Sequence, residues 1–150
     1  KKAIDAGVDM VMMSHIMLPK VDEKNPATLS KTIVTDILRK DMNYDGVVVT
    51  DDMTMGAIIN NYDIGDAAVK SINAGADIVM VCHKLDNVTA VRDAIKEAVK
   101  NGTITEKRLN KSVERILKLK NKYNIQDGVT EEPNVNEIND KISSVLEKMK

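Results

Sequence analysis

The chain contains no Phe and no Trp, and its aromatic content is three Tyr. A core must therefore come from Ile, Val and Leu, with nine Met expected to fill irregular gaps among them. Cysteine is nearly absent as well: a lone Cys82 rules out an internal disulfide and says nothing about compartment. No apolar run approaches the roughly 20 residues needed to cross a bilayer, so no membrane partner is expected. Neither sign of charge dominates. Lys and Arg number 22 against 23 Asp and Glu, for a net charge of -1, and the lysines lie along helices beside acidic residues, so no nucleic-acid partner is expected. The two His and the single Cys lack ligand spacing, which points to no metal and no organic cofactor. What remains is 150 residues, 43% hydrophobic and 30% charged, a composition suited to about one soluble domain.

Punctuation along the chain is that of alternating helices and strands. Ala3-Ile4-Asp5-Ala6-Gly7-Val8-Asp9-Met10-Val11-Met12-Met13-Ser14-His15 recurs as Ser71-Ile72-Asn73-Ala74-Gly75-Ala76-Asp77-Ile78-Val79-Met80-Val81-Cys82-His83. Each copy reads as a helix end, a glycine suited to a left-handed cap, and a buried strand ending in His. Pro26 and Ser30 set up a helix over 31–41. A loop at Asn60-Asn61-Tyr62-Asp63 precedes a helix from near Asp66 to Gly75, and the third strand runs from Asp77 to Val81. Asp86 or Asn87 is expected to cap the next helix, which stops at Asn101-Gly102. Thr105 caps another, whose last turns carry Lys and Arg. Residues 126–136 read as a linker, and Ile138, Ile142, Val145, Leu146 and Met149 mark a final amphipathic helix that packs somewhere.

The most informative stretch is Gly46-Val47-Val48-Val49-Thr50-Asp51-Asp52-Met53-Thr54-Met55-Gly56-Ala57. A β-branched run buried on both faces ends in two carboxylates. In chains of alternating strands and helices, chemistry sits where parallel strands stop, which makes Asp51 the candidate catalytic group. Asp52 is expected to orient Asp51 or to bond backbone amides. His15, at the end of the first strand, is the candidate substrate-binding residue, and His83 is expected to be structural. The chain opens in what reads as the last turn of a helix, so it is expected to start inside a larger unit; cytoplasmic and exported locations both stay open. Three strands cannot close a barrel, which needs about 250 residues.

Ala6-Gly7-Val8-Asp9-Met10-Val11-Met12 with Ser14-His15, Pro26-Ala27-Thr28-Leu29-Ser30, Asp45 to Met53 with Met55-Gly56-Ala57, Ala74-Gly75-Ala76-Asp77, and Ser112-Val113-Glu114-Arg115-Ile116-Leu117 with Lys120 occur in an order that resembles glycoside hydrolase family 3. The likeness is to its NagZ-like β-N-acetylhexosaminidase branch. It implies an α/β fold, the C-terminal portion (about three β/α units) of a TIM (β/α)8 barrel, over residues 1–125, followed by a linker and amphipathic helix over 126–150. It also implies a retaining glycosidase that removes terminal β-linked N-acetylglucosamine, with cell-wall muropeptides as the expected source, through a covalent glycosyl-enzyme on Asp51. In that branch the proton donor is a His paired with an Asp on an upstream loop that these residues do not include. The chain alone is therefore expected to be inactive, and its open sheet edges are expected to favour self-association.

Two other readings stay open. Asp9 to Pro19 looks like the phosphoacceptor strand of a phospho-receiver domain, with Asp51-Asp52 as its acidic pair. Against it, Ser14 occupies the acceptor position and the acidic pair follows that strand when it should precede it. A non-catalytic part-barrel serving as an assembly module is the other.

Overall fold

The computed structural model describes residues 1–125 and 132–149. Its elements are helix α1 (Lys2–Asp5), strands β1 (Met10–Met13), β2 (Met17–Leu18) and β3 (Asp22–Pro26), a 3-10 turn (Ala27–Leu29), a π-helix (Thr32–Asp41), strand β4 (Val47–Thr50), and helices α2 (Gly56–Ile59), α3 (Ile64–Ala74), α4 (Leu85–Lys100), α5 (Glu106–Lys122) and α6 (Val135–Lys148).

Strands β1 and β4 pair in parallel, Met10 opposite Val47 through to Met13 opposite Thr50. Residues 77–80 run along the other side of β4. The expected third strand is here one parallel bridge, Val49 to Ile78, supported by Asp77 and Ile78 N–H groups donating to Val48 O at 2.7 and 3.1 Å and by Thr50 N–H donating to Ile78 O at 3.0 Å. The ladder is short because side chains occupy its rungs. Val48 N–H donates to Asp77 Oδ2 and Met80 N–H to Thr50 Oγ1, each at 3.0 Å, where carbonyls would otherwise accept.

The glycine caps expected in both repeats are present. Gly7 and Gly75 lie at φ +86 and +128. Each closes its helix with the same two bonds, Gly7 N–H to Ile4 O and Val8 N–H to Ala3 O in the first, Gly75 N–H to Ile72 O and Ala76 N–H to Ser71 O in the second. Thr105 caps α5 as expected, accepting from Arg108 N–H at 3.2 Å. Helix α3 starts earlier than expected because Asp63 caps it, accepting from Gly65 and Asp66 N–H. Neither Asp86 nor Asn87 caps α4. Lys84 at φ 61 makes that turn, and Asn87 Nδ2 reaches back to His83 O at 3.0 Å.

The helix expected over 31–41 is wound as a π-helix, and it ends with Tyr44 N–H donating to Leu38 O. Tyr44 lies under the strand that follows, its hydroxyl donating to Val47 O at 3.1 Å. A Cβ on Gly46 would meet that hydroxyl at 2.3 Å, so the approach requires glycine. Strands β2 and β3 form an antiparallel hairpin that the sequence reading did not anticipate.

On one sheet face Val48 buries with Val34, Leu38, Tyr44, Ala74 and Ala76, joined by Val11 and Met13. The opposite face of β1 is open, with Met10 42% and Met12 56% exposed, so this strand is not buried on both faces. Methionine is also a smaller part of the core than expected. Of the nine, Met53 alone is buried, with Leu29, Ile58 and Ala67, and aliphatics, alanines and Tyr44 make up the remaining clusters. The stripe of α6 forms as a helix, and Ile138, Ile142, Val145 and Leu146 on it are exposed among the described residues. The expected linker falls mostly outside the described residues, at 126–131.

The end of the sheet where strands begin is held by charge. The fully buried Asp77 carboxylate accepts from Arg39 Nη2 at 2.5 Å, Ser112 Oγ at 2.7 Å and Arg115 Nη1 at 3.2 Å, with Arg108 Nη1 3.6 Å away. Arg39 also donates to the carbonyls of Tyr44, Gly46 and Gly75, so one guanidinium joins the π-helix to both neighbouring loops.

Candidate active site

Where β4 ends, the chain leaves the sheet at Asp51. Its N–H donates to Met13 O at 2.9 Å, fixing the residue against the end of β1, and its Oδ1 accepts from Asp52 N–H at 2.8 Å. No described residue donates to Oδ2. One carboxylate oxygen is thus anchored while its partner is available, in a half-buried setting on the strand-end rim.

Asp52 turns inward. Its Oδ1 accepts from the N–H groups of Thr54 and Cys82, each at 3.0 Å, and its Oδ2 accepts from the Thr54 hydroxyl at 2.6 Å and lies 3.2 Å from His83 Nδ1. Burial alone would raise this carboxyl's pKa. The donors from Thr54, then Cys82 and His83, outweigh it and hold Asp52 well below the usual carboxylate range. The carboxylate thereby joins the turn after β4 to the end of the third parallel segment.

His15 closes the other side. Its Nε2 lies 3.0 Å from Asp52 O and its Nδ1 2.9 Å from Thr28 Oγ1, while the Thr28 hydroxyl also faces Ser14 O at 2.8 Å and Met13 O at 3.0 Å. Both ring nitrogens are therefore held by the protein. The ring borders a hollow of about 330 Å³ lined by Met17, Lys24, Pro26, Ala57, Asn61 and Tyr62.

The structure thus gathers Asp51, Asp52, His15 and His83 on one rim. Sequence reasoning overlooked Thr28 and Thr54, whose hydroxyls orient the two imidazoles. Thr54 stands two residues past Asp52, the spacing at which an Asp carboxylate bonds a following backbone N–H, and this was the available signal. Among the described residues no group of three or more His, Cys, Asp or Glu side chains converges as a metal site.

Parallel strands joined through helices, with an anchored carboxylate where the central strand stops, define a mixed α/β protein. The chain belongs to glycoside hydrolase family 3: the model described as the Glycosyl hydrolase family 3 N terminal domain matches residues 1–119. It is 30% identical over 130 residues to beta-hexosaminidase A of Pseudoalteromonas piscicida, covering 75% of this chain and 22% of the relative. It is 40% identical over 87 residues to a beta-hexosaminidase of Neisseria gonorrhoeae, covering 58% of this chain and 24% of the relative. A solved family 3 beta-N-acetylglucosaminidase from a Paenibacillus strain superposes with a TM-score of 0.82 at 41% identity, covering 89% of this chain and 26% of that one. The chain therefore spans about a quarter of the length of these relatives.

Proposed function

We propose that the complete protein is a retaining glycosidase that releases terminal β-linked N-acetylglucosamine, from cell-wall muropeptides, and that Asp51 is its nucleophile. The observation that carries this is the asymmetry of the Asp51 carboxylate, one oxygen bonded to Asp52 N–H and the other open at the rim. In the first step the open oxygen attacks the anomeric carbon, the bond from that carbon to the leaving oxygen breaks, and the leaving oxygen takes a proton from a donor outside these residues. In the second, water attacks the same carbon and gives one proton back to the group that protonated the leaving oxygen, the ester to Asp51 breaks, and the carboxylate is regenerated. His15 meets the glycan through the carbon edge of its ring, since its nitrogens hold Thr28 and the Asp52 carbonyl.

The same reading makes residues 1–125 the last three β/α units of a (β/α)8 barrel, with 126–150 as linker and helix. The parallel order of β1, β4 and the 77–80 segment supports it, as does the bare face bearing Met10 and Met12, which in a closed barrel points inward.

The decisive measurement is turnover of a nitrophenyl N-acetyl-β-glucosaminide by the complete protein. Asp51→Asn is expected to lower kcat on the order of a thousandfold or more, and a slow fluorinated substrate is expected to leave one sugar on the peptide that contains Asp51. Full activity of the variant would overturn the assignment. Residues 1–150 alone are expected to release no nitrophenol, and release abolished by Asp51→Asn would show that they contain their own proton donor.

A further inference from the structure

We infer that His83 is a glycan-contacting residue whose Nε2 accepts a hydrogen bond from a substrate hydroxyl, with Asp52 and Thr54 as its positioning residues. This rests on the reading of the Asp51 rim as a sugar site and adds to it a contact on the neighbouring strand end.

The position of one hydrogen sets the tautomer of His83. The Thr54 hydroxyl donates to Asp52 Oδ2 at 2.6 Å, so its own oxygen faces His83 Nδ1, 3.0 Å away, as an acceptor. Asp52 Oδ2, 3.2 Å from the same nitrogen, is an acceptor as well. Two acceptors on Nδ1 place the hydrogen there, so in the neutral ring Nε2 carries a lone pair. Asp52 cannot turn away, because its Oδ1 is held by the N–H groups of Thr54 and Cys82.

The ring is thus an exposed group on a buried anchor. The His83 side chain is 75% exposed while that of Asp52 is 12% exposed. The main chain beneath is held too, by Asn87 Nδ2 on His83 O and by the turn at Lys84, φ 61. Fixing an exposed imidazole costs rotamer freedom, and its outer nitrogen has no partner among the described residues. Pre-ordering of this kind favours binding when a ligand supplies the missing donor. The anchor is also the nucleophile's own neighbour, since Asp52 N–H bonds Asp51 Oδ1. Asp51 and His83 therefore share a single support at adjacent strand ends. A lone-pair acceptor selects a hydroxyl or N–H donor, and a sugar ring offers several hydroxyls.

The test uses the complete protein and a series of N,N′-diacetylchitobiose derivatives, each lacking one hydroxyl. His83→Asn keeps an N–H facing Asp52 and Thr54 and removes Nε2. The expected result is a loss of about threefold to tenfold in kcat/KM on the parent disaccharide, carried mostly by KM. One derivative is expected to be poorer than the parent by that factor for the wild-type protein and no poorer for His83→Asn. Thr54→Val is expected to weaken the same coupling and Thr54→Ser to restore it, with unchanged thermal midpoints. The proposal is overturned if every derivative loses the same factor in the variant as in the wild type. Asp51→Asn separates the two claims: if it is inactive while the coupling is absent, the His83 contact alone fails, and if it stays active, the reading of the rim fails.

Discussion

His15 Nε2 lies 3.0 Å from the backbone carbonyl of Asp52, joining the segment after β1 to the turn after β4. A carbonyl oxygen can only accept, so Nε2 carries the hydrogen of this bond. The carbonyl belongs to the residue whose N–H holds the Asp51 carboxylate, which makes His15 a support for the candidate nucleophile's turn.

Removing that support is expected to affect chemistry more than folding. His15→Ala removes the imidazole that ties the Asp52 carbonyl to Thr28, leaving that carbonyl only the Met55 N–H at 3.0 Å, and kcat/KM of the complete protein is expected to fall about tenfold. His15→Gln places an amide N–H near the former Nε2 and is expected to recover most of the loss in kcat. Equal kinetics for the Ala variant and the wild-type protein would remove His15 from the site.

The placement of Asp51 was legible because a β-branched run that stops at two carboxylates has few other meanings, and the caps at Gly7, Gly75 and Thr105 were legible because each depends on one residue and its neighbours. What escaped depended on contacts distant in sequence. The β2–β3 hairpin has a two-residue first strand, and Asp22 to Pro26 shows no alternation of polar and apolar residues. The third strand is shorter than its sequence suggests, because nothing local reveals that Asp77 and Thr50 side chains take ladder bonds. The bonds of His83 have no local signature, because its partners, Asp52 and Thr54, lie some thirty residues earlier. The exposure of methionine has a different origin: Met10 and Met12 alternate as a strand should, but the face they occupy is bare.

Asp77 is the residue on which stability is expected to depend most. Three guanidiniums converge on a carboxylate with no exposed side-chain surface, so Asp77→Ala would leave Arg39 and Arg108 largely buried without their counter-charge, while Arg115 keeps Asp45. A loss of about 3–5 kcal/mol is expected, read as a lower urea midpoint. Asp77→Asn is expected to fall between the two, since its amide keeps one acceptor oxygen. A midpoint within experimental error of the wild type for Asp77→Ala would show that the arginines are satisfied by carbonyls alone.

Asp22 provides a pH reading in the hairpin. Donors from Ser30 and Asn25, with the Lys24 and Asn25 N–H groups, lower its carboxyl to about 2. A carboxyl lowered on folding stabilises the folded state above its unfolded value, near 3.9, and that contribution is lost as pH falls through the folded value. The β2–β3 turn is therefore expected to hold at pH 4 and to loosen between about 4 and 2. A carboxyl-carbon NMR titration of Asp22 checks this, and a midpoint near 4 would show that the turn does not retain its donors in solution.

The bare sheet face gives the last expectation. Met10 and Met12 stand on the face of β1 opposite the helices, and among the described residues β1 pairs only with β4, leaving one edge with unpaired N–H and C=O groups. Apolar surface beside an open edge favours association with a second sheet. The chain of residues 1–150 is therefore expected to show at least a dimeric mass by light scattering at micromolar concentration. Met12→Lys places a charge on that face, where burial would require its desolvation, and is expected to shift the mass toward the monomer. The complete protein is expected to be insensitive to the edge, because the barrel reading pairs it with a preceding strand. A monomeric mass for the unsubstituted chain would mean that this face is tolerated in water, and the bare face would no longer support a barrel.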